Sequence, residues 1–180
     1  MTLRADAQRN RDLVLTAAAE CFAERGVDAS VDEIARRAGV GHGTVFRRFP
    51  TKEALVEAVI RGLVGELADA AESALAEPDA GAAFEAFFRR AVEMYARNRA
   101  LVEAFEKPAH GEEIEAMEVA VGRLVWRAQR AGALRRDVGP RDVLELVPAG
   151  VRHPDVILDG LRATAGRPRR RLRVVEDPAG

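Results

Sequence analysis

The chain has 180 residues, 48% of them apolar, which suits a packed core and excludes a chain disordered throughout. Its net charge of -1 does not advertise a polyanionic partner, but the charge is uneven, with nine basic against seven acidic side chains up to Lys52 and 19 against 22 beyond it. One cysteine excludes an internal disulfide, no basic-then-apolar leader opens the chain and no apolar run approaches the roughly 18 residues of a membrane span, so a cytoplasmic protein with no membrane contact is expected.

Residues 1–9 are polar without a period and read as a mobile terminus, in which Arg4 and Arg9 are more plausibly solvated than bound to phosphate. Residues 10–25 form the first predicted helix, with Val14, Ala17, Ala18, Cys21 and Phe22 on its buried side and Gly26 as its stop. Cys21 is expected to serve there as a small hydrophobe rather than as a redox sensor.

Ser30 is followed three residues later by Glu33, so hydroxyl and carboxylate can each satisfy a free backbone NH and start a helix. Val31, Ile34, Ala35 and Ala38 then fall at i, i+3, i+4 and i+7, one apolar face, and Gly39 lets the chain leave in a left-handed turn. A second helix follows almost at once. In it Val45 and Phe49 point inward, Gly43 and Arg47 nearly opposite, with Thr44 and Arg48 on one flank and Phe46 on the other.

This is the arrangement of a helix-turn-helix, and the outward residues suit DNA. Gly43 allows close backbone approach, Thr44 can bond a phosphate, His42 can reach base edges and Phe46 can meet a thymine methyl. Arg47, Arg48 and Lys52 supply charge for the sugar-phosphate backbone. The competing reading is a plain surface helix that carries two arginines.

With VLTAAAECFAERG before it and FPTKEAL after it, the stretch closely resembles the N-terminal domain of the TetR family of transcriptional regulators, without gaps over residues 10–59. The resemblance implies that Ser30, Thr44, Arg47, Arg48 and Lys52 hold phosphates of a double-stranded DNA operator, while His42, Gly43 and Phe46 lie nearest the bases. Two positions depart from the family pattern. Phe46 stands where tyrosine is usual, which removes one hydroxyl, and Gly41 stands where serine is frequent, a weaker helix cap.

Thr51 restarts a helix after Pro50, and the apolar pattern from Val56 through Leu63 and Leu67 to Ala74 carries it to about Glu77, some 39 Å. Such a helix would act as a lever between the DNA end and the body, and Gly62 and Gly65 either allow it to bend or pack closely. After Pro78 a helix bears Phe84, Phe87, Phe88, Ala91, Met94 and Tyr95 on one stripe, followed by a separate short helix over residues 99–107 with Phe105. An aromatic stripe is ordinarily core. The family resemblance raises a second role, because family members enclose a small-molecule pocket, for which Phe87, Phe88, Met94, Phe105 and Met117 are the candidate lining. The breaks near Pro108, His110 and Gly111 are where a pocket wall would move.

Residues 112–131 are apolar on two sides, Ile114, Met117, Val121, Leu124 and Val125 on one and Val119, Gly122 and Trp126 on the other, so a sandwiched helix is expected. Two short helices follow, separated by Pro148 and Pro154. Relatives pair through the equivalent helices, which makes Val143, Leu144, Val147, Ile157, Gly160 and Leu161 the candidate dimer interface. Arg162 opens a stretch with six arginines and no acid up to Arg173, read as a solvated, disordered tail rather than an arm on DNA.

The expectation is thus an all-α protein of about nine helices: a helix-turn-helix domain at residues 1–52, a ligand-binding and dimerisation bundle at 53–166 and a basic tail at 167–180. The leading function is a homodimeric regulator, a repressor on a palindromic operator, released by a small hydrophobic or amphipathic effector. The alternatives are a regulator without an effector, controlled by abundance or a protein partner, and a helical-bundle enzyme. Against the enzyme, His42, His110 and His153 are widely separated and no Glu-x-x-His or His-Glu-x-x-His pair exists, so no cofactor or metal is expected.

Overall fold

A computed structural model of the chain describes residues 2–104 and 111–163. Among them are eight α-helices and no strand: α1 (Thr2–Arg25), α2 (Val31–Ala38), α3 (His42–Arg48), α4 (Lys52–Ala74), α5 (Ala80–Ala104), α6 (Glu112–Arg130), α7 (Pro140–Gly150) and α8 (Pro154–Leu161). The fold is all-α, as the patterning requires.

Two hydrophobic clusters organise it. The first joins α1 to α3 with the start of α4, where Val14, Phe22, Ile34, Val45 and Leu55 are each 1% exposed or less. Ser30 starts α2, its hydroxyl oxygen accepting from the Glu33 NH at 3.2 Å, and Gly39 ends it at φ 67°, a left-handed conformation that glycine takes without strain. The Glu33 carboxylate turns to Arg25 at 3.2 Å instead of back to Ser30. Arg37 clamps α2 to α1 through two hydrogen bonds of 2.8 Å to Glu24, whose carboxyl is held below its ordinary range by that guanidinium. Cys21 is wholly buried in this cluster, and burial pushes its thiol above the usual range, which fits a packing role.

The second cluster fills the body, with Phe84, Phe87 and Phe88 of α5, Val121 and Leu124 of α6, Val143 of α7 and Leu158 of α8. Helices α4 and α6 pack along one another, tied by Arg123 to Glu72 at 2.7 Å. Arg127 of α6 donates to the carbonyls of Ala74 (3.3 Å), Glu77 and Pro78 (3.1 Å), the last residue of α4 and two in the turn that follows it. Asp79 then caps α5, accepting from Gly81 (2.8 Å) and Ala82 (3.0 Å), and these two NH groups depress its carboxyl. The end of α8 is pinned to the α6–α7 turn by Arg135 NH to the Leu161 carbonyl and Ala163 NH to the Ala133 carbonyl, both 3.0 Å.

Several boundaries differ from expectation. α1 starts at Thr2 because residues 2–9 contain neither glycine nor proline; lack of an apolar period marked a solvated helix, not a coil, and Gln8 bonds Asp12 at 2.9 Å along it. α4 ends at Ala74, after which Ala76 and Glu77 bond the carbonyls three residues back, those of Ser73 and Ala74, in a tighter turn. α5 does not break before Arg99, since nothing in Ala96, Arg97 or Asn98 interrupts a helix, and this merger leaves eight helices instead of about nine. α7 runs through Pro148 to Gly150, because a proline in the last turn forfeits one bond without dividing the helix. Among the described residues nothing covers the second apolar side of α6: Val119 is 61% and Trp126 60% exposed. Phe105, Pro108, His110 and the tail at 167–180 lie outside the described residues.

Candidate nucleic-acid interface

α3 is seven residues long and is held by two inward side chains, Val45 (1% exposed) and Phe49 (7%). That anchoring turns the other side of the helix to solvent. His42, Gly43, Phe46, Arg47 and Arg48 are exposed and Thr44 is half-buried at the edge, while Ser30 and Lys52 stand at the starts of α2 and α4. The candidate DNA residues therefore occupy one helix face and two neighbouring helix N-termini. A Cβ added at Gly43 would meet nothing within 4 Å, so the protein itself does not require glycine there.

Three polar contacts order this edge. Arg47 lies back along its own helix, donating to the Gly43 carbonyl at 3.1 Å and to the Thr44 hydroxyl oxygen at 3.3 Å, which leaves the Thr44 hydroxyl hydrogen to donate elsewhere. His42 Nδ1 is hydrogen-bonded to the Asp32 carboxylate, and its ring centroid lies 4.6 Å from that of Phe46. Asp32 thus joins the edge as a residue that sequence reasoning did not assign; only the turn between α2 and α3, which folds position 32 beside position 42, reveals it.

In the body, α4, α5, α6 and α7 enclose an open-mouthed cavity of about 430 Å³. Ile60, Leu63, Val64 and Leu67 of α4 form one wall, and Met94, Asn98 and Val102 of α5 with Met117 of α6 form others. Of the candidate lining, Met94 and Met117 are there. Phe87 and Phe88 are not: both are buried in the core, 2% and 0% exposed, because the first half of the stripe packs inward, while its later residues Ala91, Met94 and Tyr95 reach the space together with Asn98 and Val102.

Residues 14–59 match the family described as bacterial regulatory proteins, tetR family, and residues 79–176 match the C-terminal domain of SbtR-like transcriptional regulators. The crystal structure of a TetR regulatory protein from Mycobacterium vanbaalenii is 43% identical, over 89% of this chain and 99% of that one, with a TM-score of 0.72. The chain belongs to the TetR family. A TetR regulator of Streptomyces coelicolor, SCO0520, is 35% identical over 86% of this chain and 99% of that one, with a TM-score of 0.62. The HTH-type transcriptional repressor Rv3405c of Mycobacterium tuberculosis is 54% identical over 48 residues, so the chain matches only 26% of that relative's length. As a TetR-family member the protein is a helix-turn-helix, DNA-binding transcriptional regulator, which removes the helical-bundle enzyme.

The candidate dimer residues of this TetR-family chain are placed mostly inside it. Val143 is fully buried, Val147 and Leu161 are 7% and 3% exposed, and Leu144 and Val147 border the cavity. Ile157 is half-buried and only Gly160 is exposed. The exposed large apolar side chains on the last three helices are instead Val119 and Trp126 of α6 and Val156 of α8, with the Arg130 guanidinium 4.7 Å above the Trp126 ring.

Proposed function

We propose that the protein is a cytoplasmic repressor that binds a palindromic operator as a homodimer and is released by a small molecule in the body cavity. Residues 1–52 carry the DNA contacts and residues 53–166 the effector and the dimer contacts. Ser30, Thr44, Arg47, Arg48 and Lys52 hold phosphates, and His42, Gly43 and Phe46 meet the bases. The repressor sign follows the Mycobacterium tuberculosis relative, which is named a repressor.

The observation that carries this reading is the course of α4. One unbroken helix of 23 residues, about 34 Å at the usual rise, begins with Lys52 beside α3 and supplies Ile60, Leu63, Val64 and Leu67 to the cavity wall. A ligand that wedges this wall tilts the helix and with it the DNA edge. Two recognition helices about 34 to 36 Å apart fit successive major grooves, and a ligand that prefers the splayed spacing lowers operator affinity by its differential affinity for the two forms. The cavity favours this over an effector-independent regulator, for which a solidly packed body is the expected structure.

The test starts from duplexes selected by the full-length protein from a random pool. Arg47→Ala and Lys52→Ala are each expected to weaken binding to selected and scrambled duplex alike and to lower the salt slope by about one unit; slopes that do not move would remove these two phosphate contacts. Sedimentation of Trp126→Glu and Val156→Glu then reads the dimer. A monomer from either variant locates the pairing face, and an intact dimer from both removes these helices from it. Leu161→Glu is not suitable, since it buries a charge in the protomer's own core.

A further inference from the structure

The walls of the body cavity share one chemical character. Among the described residues that line it there is no Asp, Glu, Lys, Arg or His, and the residues come from four different helices. An ion entering would leave water for a surface that supplies no counter-charge, so charged molecules are selected against. The volume of about 430 Å³ lies within the range of small-ligand sites.

Two polar side chains break the apolar lining, Tyr95 with its hydroxyl and Asn98. Asn98 is 7% exposed and is the buried polar side chain among the described residues. Its Nδ2 donates to the Met94 carbonyl one turn earlier, at 2.9 Å. A carbonyl oxygen only accepts, so that contact dictates which end of the amide is nitrogen, and it leaves the oxygen as the acceptor of a side chain that lines the cavity. A pure hydrocarbon that expelled water from this oxygen would leave it unmatched, which disfavours hydrocarbon as the natural occupant.

We infer that the effector is an uncharged, mostly apolar molecule bearing a hydroxyl or N–H group, which donates to the Asn98 amide oxygen while the apolar remainder lies between Met94 and Met117. The inference rests on the effector-release reading above and adds the chemical class. Asn98 is a specificity residue, and the side chains of α4 and α6 supply affinity that any apolar body can use.

A head-group series on one ten-carbon chain tests it. Displacement of the neutral dye Nile red from the full-length protein at pH 8 is measured for 1-decanol, methyl decanoate, decanoate and decylammonium. 1-Decanol is expected to bind at least tenfold tighter than either ion and severalfold tighter than the ester, which lacks a donor. In Asn98→Leu the alcohol and the ester should come within twofold of each other with Nile red affinity retained; a purely structural asparagine would weaken both equally. Decanoate or decylammonium binding as tightly as the alcohol overturns the inference, as does an alcohol preference that survives Asn98→Leu. Should that variant not fold, the order of the four head groups on the unaltered protein decides. If neither the dye nor any of the four binds, the effector reading itself fails, a result distinct from a wrong head-group order.

Discussion

In the first sixty residues the two helices of the helix-turn-helix are eight and seven residues long, and the apolar side chains they share with α1 are used up inside, with Phe22 and Ile34 fully buried and Val45 1% exposed. In the body, helices of 11 to 25 residues leave about 430 Å³ unfilled between them and expose Val119 and Trp126. On the proposed function, a surface that matches a rigid duplex is braced by close packing and the Arg37–Glu24 clamp, whereas the region proposed to admit a ligand is left incomplete. α4 belongs to both, giving Leu55 to Ile60 to the first cluster and Leu67 and Ala71 to the second.

The contrast is broken or sharpened first by paired truncations. Ile34→Ala empties a fully enclosed site and is expected to lower stability by about 3 kcal/mol or more, with loss of DNA binding. Met117→Ala removes a side chain that already borders empty space, so about 1 kcal/mol is expected, with retained DNA binding and altered dye affinity. Urea denaturation checks both. Equal losses would mean that the cavity is no weaker than the core beside it.

The same contrast explains what could be read before the fold was known. Helix starts and stops in the first region rest on contacts three residues apart: Ser30 to Glu33, Thr51 to the Ala54 NH at 3.1 Å, and the left-handed Gly39. These are local, so residue types at fixed spacing announce them, and the inward Val45 and Phe49 follow from period alone. In the body the period shows that α5 is amphipathic but not which neighbour takes which stripe. Family resemblance laid over that period points Phe87 and Phe88 at a wall that Met94, Asn98 and Val102 form, and Val143 and Leu161 at an interface, whereas the chain's own core takes all four. His42 with Asp32, and Arg135 with Leu161, are joined only by tertiary turns, for which no spacing rule exists.

Gly43 gives a cleaner separation of binding from folding. Because a Cβ there meets nothing in the protein and glycine is a poor helix former, Gly43→Ala should leave stability unchanged or raise it by up to about 1 kcal/mol. On selected duplex it should bind about tenfold more weakly if the backbone of α3 approaches the bases. Unchanged affinity would move the closest approach elsewhere on the helix.

Within α4, a Cβ at Gly62 or Gly65 would likewise meet nothing within 4 Å, so close packing is not why these residues are small. The double change to alanine should stabilise the helix by roughly 1 to 2 kcal/mol. If the two glycines make the shared helix compliant, the stiffer variant holds the selected duplex at least as well while a cavity-bound alcohol changes that affinity by a different factor. A raised melting temperature with identical coupling would leave α4 a rigid lever throughout.

The smallest effect compares one carboxylate from each region under acid. Glu24 is depressed by its hydrogen bonds from Arg37, and Asp79 by the NH groups of Ala82 and Gly81. In each case the folded state binds its proton less readily than the unfolded chain, so the stabilisation is complete above the ordinary carboxylate range and disappears as pH falls through the folded-state value. Thermal unfolding of Asp79→Ala should therefore lie a few degrees below the unaltered protein at neutral pH, with the gap closing as pH falls below the ordinary carboxylate range. Glu24→Gln should show the same convergence together with weaker DNA binding, because its clamp orients α2, whereas Asp79→Ala should leave DNA affinity untouched. A gap for Asp79→Ala that persists in acid would mean that the side chain acts through packing and not through its charge on the first turn of α5.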